Sequence, residues 1–374
     1  MSEIKPKVLV GMSGGVDSSV SAALLLEQGY EVFGAFMKNW SGDVNGPECK
    51  VTDRVGEEHQ ECGWKQERRD AARVAAQLDI PFVTFDFEEQ YRHDVVEEMF
   101  DEFAAGRTPN PDVLCNKYIK FDRFVQAADQ LGCGFVATGH YARVSALRPS
   151  TSSGNNVHLL MSSDANKDQT YFLWAINKNV LSRVLFPIGH LTKPEVRAEA
   201  RARGLVVAEK KDSTGICFVG EVPMRSFLQA RIPDDPGDII TTDGRVVGHH
   251  QGVAFYTIGQ RHGLEVGGGT PFYVVEKRLQ TKELIVSSNF HPSLFKKQLI
   301  ARQINWLVDA STMVSGRYQV RIRHRQPLQF CTLSHEKDQV RVDFDEPQRA
   351  ITSGQSVVFY DGQTVLGGGI ITDA

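Results

Sequence analysis

The sequence predicts an α/β fold: an N-terminal doubly wound parallel sheet, then a small β domain, then a C-terminal β-barrel. Three observations predict it. From Lys7 to about Thr138, short apolar strands alternate with helically spaced apolar residues, the pattern of a parallel sheet with right-handed crossovers. After Lys210 the helical period gives way to short strands separated by turns. The 374 residues exceed the ~100–200 of one typical domain, and 41% hydrophobic residues can build more than one core. The expected units are 1–220, 221–290 and 291–374.

Lys7–Gly11 is a short apolar strand. It turns through Ser13-Gly14-Gly15 into a helix whose expected apolar face is Val20, Ala23, Leu24 and Leu26. A strand, a small-residue turn and a helix start make an anion site: glycines let the backbone approach a phosphate, and first-turn amides with the helix dipole favour its charge. Ser13, Ser18 and Ser19 are candidate hydroxyl donors. The turn lacks the Gly-Lys-Ser/Thr ending of a Walker loop and the Gly-x-Gly-x-x-Gly of a dinucleotide fold. Further strands are expected at Glu31–Phe36, Ile80–Phe85 and Phe135–Thr138. Helices are expected at Trp64–Leu78, Glu88–Ala105 and Phe121–Leu131. Residues Asn39 to Gly63 read as a polar loop insertion and Leu147–Asn156 as an exposed linker. Ligands of such sheets bind beyond the carboxyl ends of the strands. The Ser-Gly-Gly turn and Gly139-His140 therefore face one cleft.

Thr192-Lys193-Pro194-Glu195 is a capping-box helix start, with the helix running to Arg203 and stopping at Gly204. Pro233–Gly237 marks the boundary to the β half. Thr242-Asp243-Gly244-Arg245 and Tyr360-Asp361-Gly362-Gln363 are hairpin turns. A net charge of −4 gives no chain-wide nucleic-acid signal, so any such site is a local basic patch. The best candidate is Arg321, Arg323 and Arg325, which at period two share one face of an expected strand and suit phosphate contact. No signal peptide or run of ~18 apolar residues is visible. The expected location is cytoplasmic, off the membrane, where the six cysteines stay reduced.

Two cysteines stand in chemically distinctive surroundings. Arg107 to Lys117 carries Asp112 three residues before Cys115, in a proline-stiffened segment that reads as a polar loop. Glu209 to Phe218 places two lysines and a small-residue hinge before Cys217. A neighbouring cation raises the thiolate fraction of such a thiol. Cys133, after a helix terminus, reads as a packing residue. Cys49, His59 and Cys62 do not make a complete zinc ligand set.

Ser-Gly-Gly-Val-Asp-Ser resembles the pyrophosphate-binding loop of the PP-loop ATP pyrophosphatases, which cleave ATP to AMP and pyrophosphate. The resemblance extends along nearly the whole chain to the bacterial tRNA-specific 2-thiouridylase family. Its motifs Thr-Pro-Asn-Pro-Asp-x-x-Cys-Asn, Ala-Thr-Gly-His-Tyr, Lys-Asp-Gln-Thr-Tyr-Phe-Leu, Asp-Ser-Thr-Gly-Ile-Cys-Phe, Gly-Gln-x-x-Val-Phe-Tyr and Leu-Gly-Gly-Gly-Ile occur in order.

This resemblance implies a tRNA-uridine 2-sulfurtransferase. It would use ATP and Mg2+ to replace O2 of the wobble uridine by sulfur in the tRNAs for lysine, glutamate and glutamine. The sulfur would arrive from a persulfide relay protein fed by a cysteine desulfurase. By position, Gly11, Met12, Ser13, Gly14, Gly15, Val16, Asp17 and Ser18 would hold the ATP phosphates, with Asp17 also on the metal. Met37 and Gly139 would contact the nucleotide. Asn110, Pro111 and Asp112 would meet the target base, and Asp112 is the candidate general acid/base. Cys115 matches the family nucleophile and Cys217 the persulfide carrier, which implies a transient disulfide between them. Lys167, Asp168, Gln169, His140, Arg323, His324 and Gln355 would contact tRNA. The family pattern at Arg323-His324 is Arg-Tyr, so this chain lacks that phenol. Two competing readings are another ATP pyrophosphatase, which needs no paired cysteines, and a nucleotide-binding tRNA chaperone.

Overall fold

The computed structural model describes residues 5–41, 51–52, 58–59, 63–145, 157–212, 224–264, 266–267 and 271–373. Cys217, Cys49, Cys62, the linker 147–156 and most of the insertion 39–63 lie outside the described residues. Within that insertion, Val51–Thr52 and Glu58–His59 pair as short antiparallel strands.

The N-terminal half is the expected parallel sheet. β1 (Lys7–Gly11) leads into α1 (Val16–Glu27), β2 (Glu31–Lys38), α2 (Gly63–Gln77) and β3 (Phe82–Asp86). A helical run at 88–104, α3, and another at 111–130, α4, precede β4 (Phe135–Ala137). A hairpin follows, β5 (Ala142–Val144) and β6 (Leu159–Met161), then β7 (Val184–Leu185) and α5 (Lys193–Ala202). The sheet order is β3-β2-β1-β4-β7 and every pairing is parallel. The order reverses between β1 and β4, so the crevice at their carboxyl ends is the topological switch point. α1 is buried at Val16, Val20, Ala22, Ala23 and Leu25, deeper than at the expected Leu24 and Leu26. α5 starts with both halves of its capping box in place.

The expected start of α4 is corrected. It begins at Pro111, ten residues before Phe121. Asn110 is its N-cap, accepting from the Val113 amide at 3.4 Å, and Pro111 sits where a missing N–H costs nothing. The helix widens to π geometry over Cys115–Arg123, with a kink at Phe121.

The second half opens with a short helix at Met224–Gln229. It then forms a four-stranded sheet from β8 (Gly237–Thr241), β9 (Val246–His250), β10 (Tyr273–Arg278) and β11 (Glu283–Ser287), in the order β9-β8-β11-β10. The barrel follows: β12 (Phe295–Trp306), β13 (Gly316–Arg321), β14 (Gln329–Glu336), β15 (Gln339–Arg349), β16 (Ser356–Asp361) and β17 (Thr364–Asp373). The β12–β17 pairing closes it. Both expected hairpin turns join neighbouring antiparallel strands. The hairpin β5–β6 of the N-terminal half extends the barrel sheet beyond β17, through Thr364 opposite Leu160.

The expected arginine face does not form. β13 ends at Arg321, since Pro327 ahead has no N–H for the ladder and Gln326 turns back onto Ile322. Arg325 sits in the turn at φ +64°. Arg321 points inward instead, and its Nη1 donates to Asp168 Oδ2 at 2.5 Å, with side chains 7% and 0% exposed. Its guanidinium also lies 5.4 Å from the Tyr360 ring. Beside it, the Tyr171 hydroxyl donates to the carbonyls of Ile322 and Ser356. The barrel is thus fastened to the first half by a desolvated ion pair.

Removing one partner of such a pair strands a buried charge and costs about 3–5 kcal/mol, whereas an exposed pair contributes at most about 1 kcal/mol. Arg321→Met is therefore expected to lower the urea midpoint far more than Arg201→Met, whose Glu209 partner is 74% exposed. Equal shifts in the two urea titrations would contradict the clamp.

Candidate active site

The turn is built for close approach. Gly14 has φ +73°, and a Cβ there would fall 2.2 Å from the Glu67 carbonyl oxygen; at Gly139 it would fall 2.7 Å from the Ser18 amide nitrogen. Gly11 faces the Met37 methyl at 3.0 Å on the same basis. Met12, Val16 and Met37 are buried beneath the turn. The N-cap is Gly15, which has no side chain to satisfy the first-turn amides of α1. Those donors have no intrahelical acceptor, the arrangement that lets a helix N-terminus take an anion. Of the three serines, Ser13 is exposed. The hydroxyls of Ser18 and Ser19 turn inward to the Gly15 carbonyl, at 3.2 and 2.8 Å, and stiffen the turn.

A charge network borders the turn. Asp17, in the first turn of α1, accepts from the Lys193 ammonium at 2.7 and 2.9 Å and from the Tyr141 hydroxyl at 2.9 Å. Lys193 reaches Asp212 at 2.9 Å, and Asp212 also meets Lys167 at 2.8 Å and Arg197 at 2.7 Å. Burial alone would push the Asp212 carboxyl up, but hydrogen bonds from Lys167 and Lys193 hold it down at about 2. Lys210 donates to the Gly14 carbonyl at 3.1 Å and to Asp70 at 2.7 Å. Burial pushes the Tyr141 hydroxyl far above its usual range, and the Asp17 charge adds to this, so it stays a donor.

Across the crevice, α4 carries the thiol. Its Phe124 lies 3.7 Å from where a Gly11 Cβ would be, and its Phe121 ring is 5.9 Å from His140. Cys115 is completely buried, packed in the core cluster with Leu9, Ile119, Phe124 and Val136. The expected polar loop around it is thus a helix. The apolar spacing of Val113, Leu114, Ile119 and Phe121 turns the thiol inward, while Asn116 bonds the Phe172 carbonyl at 2.9 Å. The segment ahead is braced by both other parts of the chain. Gln355 of the barrel donates to the carbonyls of Thr108 and Pro109 at 2.9 and 3.2 Å, and the Thr108 and Thr257 hydroxyls meet at 3.3 Å. A cavity of about 320 Å³ opens beside it, lined by Phe103, Pro109, Pro111, Phe255, Tyr256 and Gln260 among others.

Of the remaining predicted residues, Asp168 and His140 are buried, while Lys167, Gln169, Arg323, His324 and Gln355 are half-buried. Asp168 is buried in its ion pair and also accepts from Ser162 and Thr170. Gln169 accepts from the Tyr141 amide at 2.9 Å. His324 meets the Asp168 carbonyl at 3.0 Å and packs 4.5 Å from the Phe172 ring. Arg323 donates to the Ala350 carbonyl at 2.7 Å. His140 is buried, bonded to Thr138 at 2.7 Å. Asp168, Gln169, Arg323, His324, His140 and Gln355 therefore hold segments together here, and Lys167 sits in the turn's charge network.

The sequence matches the family described as tRNA methyl transferase HUP domain over residues 6–221, tRNA methyl transferase PRC-barrel domain over 225–288, and aminomethyltransferase beta-barrel domain over 296–371. It is 46% identical to the tRNA-specific 2-thiouridylase MnmA of Pseudomonas entomophila, over 99% of this chain and 96% of that protein. The protein of the same name from Nitrosomonas eutropha is 47% identical, over 99% of both chains. The chain belongs to the tRNA-specific 2-thiouridylase family. The domain descriptions speak of methyl transfer and the full-length relatives of thiolation; the full-length match is the more specific, since it spans all three parts at once. Solved structures match loosely: an NMN synthetase from Francisella tularensis aligns over 56% of this chain and 66% of that chain at 15% identity, TM-score 0.34.

For a 2-thiouridylase family member the turn fits a nucleotide phosphate chain, by its glycine cradle and the helix N-terminus behind it. Mg2+ is usually held by one or two carboxylates plus phosphates, and the carboxylate at this turn is that of Asp17. Among the described residues no group of three potential metal ligands occurs. None of their helices is long and apolar enough to cross a membrane. Sequence reasoning missed Lys193, Tyr141 and Asp212 as parts of the site. The signal available for Lys193 was its position just inside the capping box of a helix that follows a sheet strand.

Burial, with Lys120 nearby, drives the His140 imidazole well below its usual 6.5. The unfolded chain takes up this proton near ~6.5 and the folded one does not. Stability therefore falls as pH drops below ~6.5, by up to about 1.4 kcal/mol per pH unit. In urea titrations between about pH 7 and about pH 5.5, His140→Gln is expected to show a shallower decline than wild type. Parallel declines would mean that the ring is protonated in the fold.

Proposed function

We propose that this chain thiolates the wobble uridine of tRNA at C2, in two halves performed on either side of the β1/β4 crevice. The observation that carries this reading is the placement of the phosphate-type turn and the Cys115 helix against the same strand ends, in a chain related along its whole length to 2-thiouridylases. Residues 1–220 would bind ATP and do the chemistry. Residues 221–290 would wall the base cavity, and residues 291–374 would brace the Thr108–Asp112 segment and meet tRNA.

Uridine C2=O is an unreactive carbonyl with a poor leaving oxygen. Its oxygen attacks the α-phosphorus of ATP, pyrophosphate leaves into the turn of residues 11–18, and AMP becomes the leaving group. Met37 and Gly139 border the nucleotide. Mg2+, when bound through Asp17 and the phosphates, would neutralise charge on the departing pyrophosphate. The target base would enter beside Asn110, Pro111 and Asp112, with Asp112 as the acid/base group. A persulfide on Cys217 supplies the sulfur: its terminal sulfur bonds C2 as AMP leaves. The Cys115 thiolate then attacks the inner sulfur and releases thiouridine, leaving a Cys115–Cys217 disulfide. A dithiol reductant must reopen that disulfide before the next turnover. The buried Cys115 has to be uncovered for this step. The tRNAs would be those for lysine, glutamate and glutamine, and the persulfide would come from a relay protein fed by a cysteine desulfurase.

The test is incubation of unmodified lysine tRNA with the protein, ATP, Mg2+ and a persulfide donor, followed by mass analysis of the wobble nucleoside. An oxygen-to-sulfur mass change is expected with wild type and loss of product with Cys115→Ser, Cys217→Ser or Asp17→Ala. An unchanged nucleoside would sink the assignment. Full product from Cys217→Ser would point to an adenylating enzyme without paired thiols.

A further inference from the structure

Lys193 stands apart from the other charges around the turn because its ammonium bridges two carboxylates, Asp17 and Asp212. Its amide is fixed by Asp164 Oδ2 at 2.9 Å, and its side chain, 12% exposed, passes 6.0 Å from the Tyr141 ring centre. The ammonium meets Asp17 and Asp212 together. Pulling an ion pair apart is costly where it strands a charge. Here Asp17 keeps the Tyr141 hydroxyl, and Asp212 keeps Lys167 and Arg197. The ammonium can therefore leave Asp212 without stranding it, and it leaves Asp17, 30% exposed, with a neutral hydrogen bond and a place for another cation.

We propose that Lys193 is a nucleotide-phosphate ligand held ready by Asp17, and that its transfer from Asp17 to the phosphate opens Asp17 to the accompanying divalent cation. This rests on the reading of the turn as an ATP site. The driving force is a charge-assisted hydrogen bond to a phosphate oxygen, beside amides that already face the anion. Until the phosphate arrives, Lys193 is the cation of the Asp17–Asp212 gap and keeps a metal ion out. Nucleotide and metal consequently bind with positive coupling, each favouring the other.

Two equilibrium measurements test this without turnover: calorimetric titration with ATP and Mg2+, and titration with Mn2+ alone followed by electron paramagnetic resonance. Lys193→Met is expected to weaken ATP by about ten- to a hundredfold, the range of a hydrogen bond to a charged group, and Lys193→Arg to recover most of it. Mn2+ alone is expected to bind Lys193→Met more tightly than wild type, because the facing carboxylates have lost their internal cation. Wild-type ATP binding matched by Lys193→Met, or equal Mn2+ binding by both, would overturn the role of Lys193 and leave the ATP reading standing. No ATP binding by the wild-type protein would remove the ATP reading, and this proposal with it.

Discussion

The buried pair of Asp168 and Arg321 is the contact on which the rest of the arrangement depends. It joins a segment of the first half to the last residue of a barrel strand, with both side chains almost fully out of water. Such a pair is a poor source of net stability against an apolar alternative, but separating the partners strands a buried charge. Further bonds cross the same junction. Tyr171 bonds two barrel carbonyls, Asn305 bonds the carbonyls of Trp174 and Ile176, and Gln355 reaches the Thr108–Pro109 carbonyls. The barrel thereby sets the position of the segment that leads into Asp112 and Cys115.

On the other side of the crevice, the turn is surrounded by charges that the protein has already balanced. Lys193, Lys167, Arg197 and Lys210 each meet a carboxylate, and the carboxylates involved are Asp17, Asp212 and Asp70. The site therefore holds cations at the mouth of an anion cradle without a large uncompensated field. A phosphate chain bound there would exchange partners with these pairs, which costs less than desolvating charges afresh. In the proposed reaction, adenylation and sulfur chemistry would rest on separate supports: a glycine turn for the first and a π-widened helix for the second. π-Widened turns are frequent at functional sites.

Much of this was legible in the residues. The Ser-Gly-Gly turn, the capping box at Thr192 and the Asp-Gly hairpins are local devices, and local chemistry determined their structure. The direction in which side chains point was not legible where tertiary partners decide it. Arg321, Arg323 and Arg325 alternate like a solvent face, yet Arg321 is drawn inward by a carboxylate 153 positions away. The polar flanks of Cys115 mark a loop by composition, but Asn110 and Pro111 are a helix cap and first position, and the helix buries the thiol. The union of hairpin β5–β6 with the barrel sheet joins residues some two hundred positions apart, beyond any windowed pattern.

In the proposed reaction the turn makes a leaving group of the uridine oxygen before sulfur arrives. Isotopic labelling reads this directly. Lysine tRNA carrying 18O at C2 of the wobble uridine is supplied with ATP, Mg2+ and a persulfide donor, and the released AMP is weighed. Each AMP formed in a productive turnover is expected to carry the 18O on its phosphate. Unlabelled AMP accompanied by full thiolation would contradict it, since the oxygen would then have left without ever being joined to the nucleotide.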